Sequence, residues 1–175
     1  AGGLSAGAIA QTFGIDIDAA GYRLSPNRGH YFALSAANNH AVTRLIYPVP
    51  EQHGVGAGIH MTVDRAGRCR LGPDAEFLNP SVPESAWYQF DESRKEKFYQ
   101  AVVRYFPALE LGDLSPDQVG VRPKLAGSEK GMKDFIICEE KDRGLAGIVN
   151  LIGIESPGLT CAAQIAQEVF RRLAA

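Results

Sequence analysis

Asn150-Leu151-Ile152-Gly153-Ile154-Glu155-Ser156-Pro157-Gly158-Leu159-Thr160 is the stretch on which the reading of this chain turns. An apolar run passes into a loop holding two glycines and a proline, and the loop opens a helix predicted from Gly158 to Leu173. The first turn of a helix leaves backbone N–H groups without intrahelical partners and carries partial positive charge. Such an end can hold a phosphate, a carboxylate or an electron-rich ring edge. Pro157 fixes one backbone angle, while Gly153 and Gly158 let a flat ligand approach the main chain.

Upstream of this junction, Phe135 to Glu139 and Ala146 to Ile152 read as two strands joined by the charged turn Glu140 to Gly144. Ser5 is a candidate cap for a short helix reaching Phe13, on the helical spacing of Ala6, Ile9, Ala10 and Phe13. Tyr31, Phe32 and Leu34 predict a strand after an Asn27-Arg28-Gly29 turn, and Ala36 to His40 a polar turn. Val42 to Val49 predicts a second strand, broken by Pro48 and Pro50, with a loop from Glu51 to Gly56. Gly58 to Asp64 predicts a third, turning at Arg65-Ala66-Gly67 into Arg68 to Leu71. Asp91 is a plausible cap for a helix from Glu92 to Phe106, whose apolar face is Phe98, Val102, Tyr105 and Phe106. Leu114-Ser115-Pro116-Asp117 reads as another cap-like turn, followed by an extended stretch from Val119 to Leu125. The expected class is α+β, with a mixed, largely antiparallel sheet covered by helices.

With 175 residues, 45% hydrophobic and 22% charged, the chain has the composition of an ordinary globular protein. A net charge of -2 argues against a general nucleic-acid binder, which normally shows a basic stripe. Cys69, Cys138 and Cys161 form no C-x-x-C pair, so neither a disulfide framework nor a zinc site is expected, and a reducing, cytoplasmic setting is. No apolar run approaches the ~20 residues that span a bilayer. The start, Ala1-Gly2-Gly3-Leu4, reads as the middle of something longer, so a fragment is expected.

Six blocks occur in order: Gly29-His30-Tyr31-Phe32, Leu45-Ile46-Tyr47-Pro48-Val49-Pro50, Gly58-Ile59-His60-Met61-Thr62, Leu71-Gly72-Pro73-Asp74-Ala75, Gly120-Val121-Arg122-Pro123-Lys124 and Glu155-Ser156-Pro157-Gly158-Leu159-Thr160. Together they resemble the C-terminal half of FAD-dependent oxidoreductases of the D-amino-acid oxidase superfamily. Within it they resemble the branch of L-2-hydroxyglutarate dehydrogenases and oxidases. That family opens with a G-x-G-x-x-G turn binding the FAD pyrophosphate, and Gly2 and Gly3 are not that fingerprint. They resemble a later block where the chain returns to the FAD domain. The resemblance therefore implies a residual FAD-domain segment at 1–20, a substrate-binding domain at 21–145, and a return to the FAD domain at 146–175. The N-terminal FAD-binding half of the same protein is the implied partner.

The resemblance also implies roles. Arg122 is the candidate clamp for a substrate carboxylate, since a guanidinium can make two parallel bonds to it. Lys124 is a candidate for a second carboxylate. His60 is the candidate proton acceptor, as imidazole suits a base near neutral pH, and Tyr31 a candidate hydrogen-bond donor to substrate. Gly2, Gly3, Leu4, Gly153, Ser156, Pro157, Gly158, Leu159 and Thr160 are the candidate cofactor contacts. His30 and Asp74 depart from the branch, which usually has an acidic residue and often an asparagine there. His40 and His53 read as solvated turn residues, and Asp113 and Asp117 as turn or cap residues. The implied reaction is oxidation of a small 2-hydroxy acid, with electrons passing from FAD to a quinone or to oxygen. A quinone would place the protein at the periphery of the inner membrane. Two alternatives stay open: an amino-acid or amine oxidase of the glycine/sarcosine oxidase type, and a non-catalytic binding module.

Overall fold

The computed structural model describes residues 2–38, 42–49, 58–79 and 81–174. The expectations for Pro50, for the loop 51–56, and for His40 and His53 fall outside the described residues. The class is α+β, with antiparallel pairing in both sheets. The chain divides into two compact units, residues 1–27 with 122–175, and residues 28–121. These boundaries differ from divisions at 20/21 and 145/146. The hairpin that precedes the final loop shares its core with the first helix, and that core draws 122–145 to the terminal segments.

In the central unit, β1 (Leu24–Leu34, which begins in the other unit), β2 (His60–Val63), β3 (Cys69–Gly72) and β4 (Glu76–Phe77) lie in the order β2-β3-β1-β4, and β5 (Leu114–Leu125) pairs with β1. Pairing places Phe32 opposite Leu71 and Leu71 opposite Met61. All three are fully buried and form one row of the core face. Helix α2 (Lys95–Val102) covers that face with Phe98 and Val102, one turn apart, and the Phe98 ring lies 4.8 Å from Phe32. The Asp91 cap is real: its carboxylate accepts from the Ser93 N–H at 3.1 Å.

Several boundaries differ from the sequence expectations. Asn27-Arg28-Gly29 is not a turn but lies inside β1, held there by pairing with β5. Residues 42–49 make no strand; Ile46 alone bridges Met61. Leu114-Ser115-Pro116-Asp117 opens β5, and the capping box before it belongs to Glu110 and Asp113. The helix expected over 92–106 is a short 3-10 turn and then α2, ending at Val102.

In the other unit, α1 (Ala6–Thr12) packs Ala6 and Ala10 with Ile15, Tyr22, Leu125 and Ile152. Ser5 precedes α1 without a side-chain cap bond. Strands β6 (Ile136–Glu140) and β7 (Leu145–Ile152) form an antiparallel hairpin. Helix α3 (Ala162–Leu173) begins four residues later than Gly158, because turns occupy 156–161. No helix among the described residues is long and apolar enough to cross a membrane.

Candidate functional site

The row beside Phe32–Leu71–Met61 points to the opposite face of the sheet, because side chains alternate along each strand. His60 stands opposite Gly72, and the same register brings Tyr31 to Gly72 from the other side. Tyr31 and His60 therefore flank a residue that has no side chain. Their backbones lie about 9–10 Å apart, two inter-strand steps. Gly72 has a φ of +134°, and a Cβ there would sit 2.6 Å from the His30 carbonyl oxygen and 3.0 Å from the Tyr31 ring. The gap between the two candidate residues is thus built into the backbone.

His60 is buried, and its Nδ1 lies 2.9 Å from the Gly58 carbonyl oxygen. A carbonyl only accepts, so Nδ1 carries the proton and the neutral ring's basic lone pair is on Nε2. The Tyr47 ring stacks on the imidazole at 4.2 Å and 19°. This tautomer and this clamp suit a proton acceptor. Sequence reasoning gave Tyr47 no role.

His30 and Asp74, the two departures from the branch pattern, prove to be one contact. Asp74 accepts from the His30 backbone N–H at 2.8 Å, and its carboxylate lies 3.2 Å from Nδ1 of the fully buried His30 ring. Arg94 donates to Asp74 at 2.7 Å and reaches Glu76, which also pairs with Arg28 at 2.9 Å. Burial pushes the His30 pKa down, against the pull of Asp74. Burial pushes Asp74 up, but the His30 N–H and the Arg94 guanidinium outweigh it and leave the carboxyl below its ordinary value.

In the other unit, Arg122 and Lys124 are two apart on β5 and share a face. Arg122 Nη1 donates to Asn27 Oδ1 at 2.6 Å. Lys124 Nζ lies 2.6 Å from Glu155 Oε1, with both side chains largely buried. Lys124 is therefore engaged by the loop that follows β7, and a second carboxylate would have to compete with Glu155. Neither Asn27 nor Glu155 was singled out from the sequence. Their partners lie 95 and 31 residues away, beyond any local pattern.

That loop makes a shallow, open concavity lined by Ile154, Glu155, Ser156, Pro157, Leu159 and Thr160. Gly158 closes it: its N–H bonds the Glu155 carbonyl at 2.5 Å, and a Cβ would fall 2.5 Å from Ile154 Cγ2. Leu159 stands 93% exposed at the head of the 12-residue α3. A bare apolar side chain beside exposed Ser156 and Thr160, at a positive helix end, fits the pyrimidine edge and face of a flavin. Gly153 packs behind, against Leu125. Gly2, Gly3 and Leu4 form the turn ahead of α1, with the Ser5 N–H bonded to Gly2 O at 3.0 Å.

The chain is 38% identical over 177 residues to the mitochondrial L-2-hydroxyglutarate dehydrogenase of Arabidopsis thaliana, covering 96% of this chain and 36% of that protein. It is 24% identical over 200 residues to the L-2-hydroxyglutarate dehydrogenase of Escherichia coli K12, covering 98% of this chain and 46% of that protein. A glycerol 3-phosphate dehydrogenase of Caloramator mitchellensis is 32% identical over 145 residues, 83% of this chain and 28% of that one. The chain thus spans less than half the length of these relatives. Among solved structures, the FAD-bound, dithionite-reduced L-alpha-glycerophosphate oxidase of Mycoplasma pneumoniae shares the fold. It superposes with a TM-score of 0.72 at 23% identity, covering 98% of this chain and 41% of that one. The family described as FAD dependent oxidoreductase, DAO, matches residues 1–172, and the chain belongs to it.

Proposed function

We propose that this chain is the substrate-binding part of an enzyme that oxidises a small 2-hydroxy acid of the L-2-hydroxyglutarate kind, completed by an N-terminal FAD-binding half. The single observation that carries the reading is the Lys124–Glu155 bond, which joins the strand bearing Arg122 to the loop suited to a flavin edge. FAD, when bound, supplies the hydride acceptor. Ser156, Pro157, Gly158, Leu159 and Thr160 would hold it, with Gly2, Gly3, Leu4 and Gly153 in supporting positions. Arg122 holds the substrate carboxylate. His60 takes the hydroxyl proton at Nε2, and Tyr31 donates a hydrogen bond to the substrate across Gly72. Electrons leave to a quinone or to oxygen. The enzyme is placed in the cytoplasm, at the inner-membrane surface where the acceptor is a quinone. Exposed Phe170 and Leu173 on α3 are surface for the FAD-binding half to cover.

A second reading is glycerol 3-phosphate oxidation, favoured by the Caloramator relative. Arg122 would then hold a phosphate. The test is turnover by the full-length, FAD-loaded protein of L-2-hydroxyglutarate, L-glutamate and glycerol 3-phosphate. The proposal expects the hydroxy acid to be preferred by kcat/KM. Preference for L-glutamate would make the protein an amino-acid oxidase, and preference for glycerol 3-phosphate would establish the second reading.

A further inference from the structure

We propose that Tyr47 is a positioning residue of the proton-transfer site, fixing the plane of the His60 imidazole by stacking on it. The inference rests on the role given to His60 above. Ile46 and Met61 exchange two backbone hydrogen bonds, of 3.0 and 2.9 Å, in an antiparallel bridge. In that register Tyr47 stands opposite His60, in the kind of pair whose side chains share a face and approach closely. The two rings meet there at 4.2 Å between centroids and 19° between planes. The buried His30 meets its aromatic neighbour Phe90 differently, edge-on at 5.3 Å and 89°.

Each contact around His60 removes a different freedom. The Tyr105 hydroxyl donates to the Ile59 carbonyl at 3.0 Å and anchors the chain just before His60. Pro48, beside Tyr47, packs on Gly58, where a Cβ would lie 3.0 Å from Pro48 Cγ. The Gly58 carbonyl, 2.9 Å from Nδ1, settles the tautomer. A hydrogen bond at one ring nitrogen still lets the ring swing about that bond. Tyr47 lies flat on the imidazole face, so a swing would drive a ring edge into the phenol. Proton transfer runs in the imidazole plane at Nε2, and a fixed plane aims that lone pair at the substrate hydroxyl. A stack covers the face of the ring and not the edge that carries its nitrogens. Tyr47 is 53% exposed, so its contact with His60 is not a by-product of filling the core.

The test mixes the full-length, FAD-loaded protein with L-2-hydroxyglutarate in a stopped-flow instrument without oxygen. Bleaching of the flavin absorbance gives the limiting rate of reduction and the substrate Kd, apart from later electron transfer. Tyr47→Leu is expected to lower the limiting rate by roughly tenfold or more, with Kd changed less than about twofold. Tyr47→Phe keeps the stacked ring and should hold the rate within about twofold of the unsubstituted protein. FAD content should be the same in both. Should Tyr47→Leu fail to fold, Tyr47→Gln carries the same expectation. An unchanged rate in Tyr47→Leu, while His60→Gln lowers it, overturns the positioning role and leaves the base standing. His60→Gln without effect removes the base, and the role of Tyr47 with it. A loss as large in Tyr47→Phe as in Tyr47→Leu assigns the effect to the hydroxyl and overturns the stack. A higher Kd or lower FAD content at an unchanged rate makes Tyr47 a wall or packing residue and equally overturns the inference. No bleaching by the unsubstituted protein overturns the proposed substrate and this inference together.

Discussion

Lys124 and Glu155 meet at 2.6 Å, joining β5 to the loop between β7 and α3. Because both side chains are largely shielded, removing one partner leaves a buried charge uncompensated and costs more than breaking an exposed pair. Glu155→Gln should therefore loosen the loop and weaken FAD binding in the full-length protein, with a smaller effect on substrate KM. Flavin titration followed by absorbance checks this. Unchanged FAD affinity would show that the bond does not hold the loop.

Arg122→Ala should raise the KM for a 2-hydroxy acid by roughly ten- to a hundredfold, matching the ~1.5–3 kcal/mol of a charged hydrogen bond. Arg122→Lys should recover only part of the loss, since an ammonium lacks the planar fork. Steady-state kinetics on both variants decide it. Wild-type KM in Arg122→Ala would take the residue out of the site.

His60→Gln should lower kcat far more than it raises KM, by about 10²–10⁴-fold if His60 is the general base. The acidic limb of the kcat/KM profile should disappear with it. A profile that keeps its shape would assign the limb to another group.

Stability should fall on acidification, in two windows. His30 has a folded pKa below its ordinary value of 6.5, so the unfolded chain binds more protons as pH drops below that value. The stability from its neutral, buried form is lost as pH falls from there toward the lowered folded value. Asp74 and Glu140 also lie below their ordinary values of 3.8 and 4.5, so their contribution is present above those values and lost on further acidification. Chemical denaturation of this chain across pH should show both windows, and His30→Gln should flatten only the upper one.

Glu140 is fully buried and accepts from Tyr22 at 2.6 Å, Asn150 at 2.8 Å and Arg143 at 2.5 Å. Tyr22→Phe should cost about 1.5–3 kcal/mol, because it leaves a buried carboxylate short of one donor. A change below about 0.5 kcal/mol in urea denaturation would show that the network re-forms without the hydroxyl.

The β2–β3 and β6–β7 hairpins and the Asp91 cap were legible because their signals are local. The Arg65-Ala66-Gly67 turn between β2 and β3 has Gly67 at φ +79°, and Asp91 caps through a residue two positions away. The β6–β7 hairpin followed from two apolar runs around a charged turn. Asn27-Arg28-Gly29 misled because its composition favours a turn. The strand there exists through pairing with β5, about 95 residues on, which no local window contains. The candidate site residues were proposed from the resemblance of their blocks to the family. The groups that contact them, Asn27, Glu155 and Tyr47, were missed because such contacts are a property of the fold. The branch departures at 30 and 74 showed as separate oddities in the sequence, and only their contact reveals a single substituted pair.

Leu159, Phe170 and Leu173 present large oily surfaces to water at and beyond the head of α3. A preparation of these residues alone should self-associate as concentration rises, and mild detergent should reverse it. On the proposed function, that stickiness would trace the surface an FAD-binding half covers.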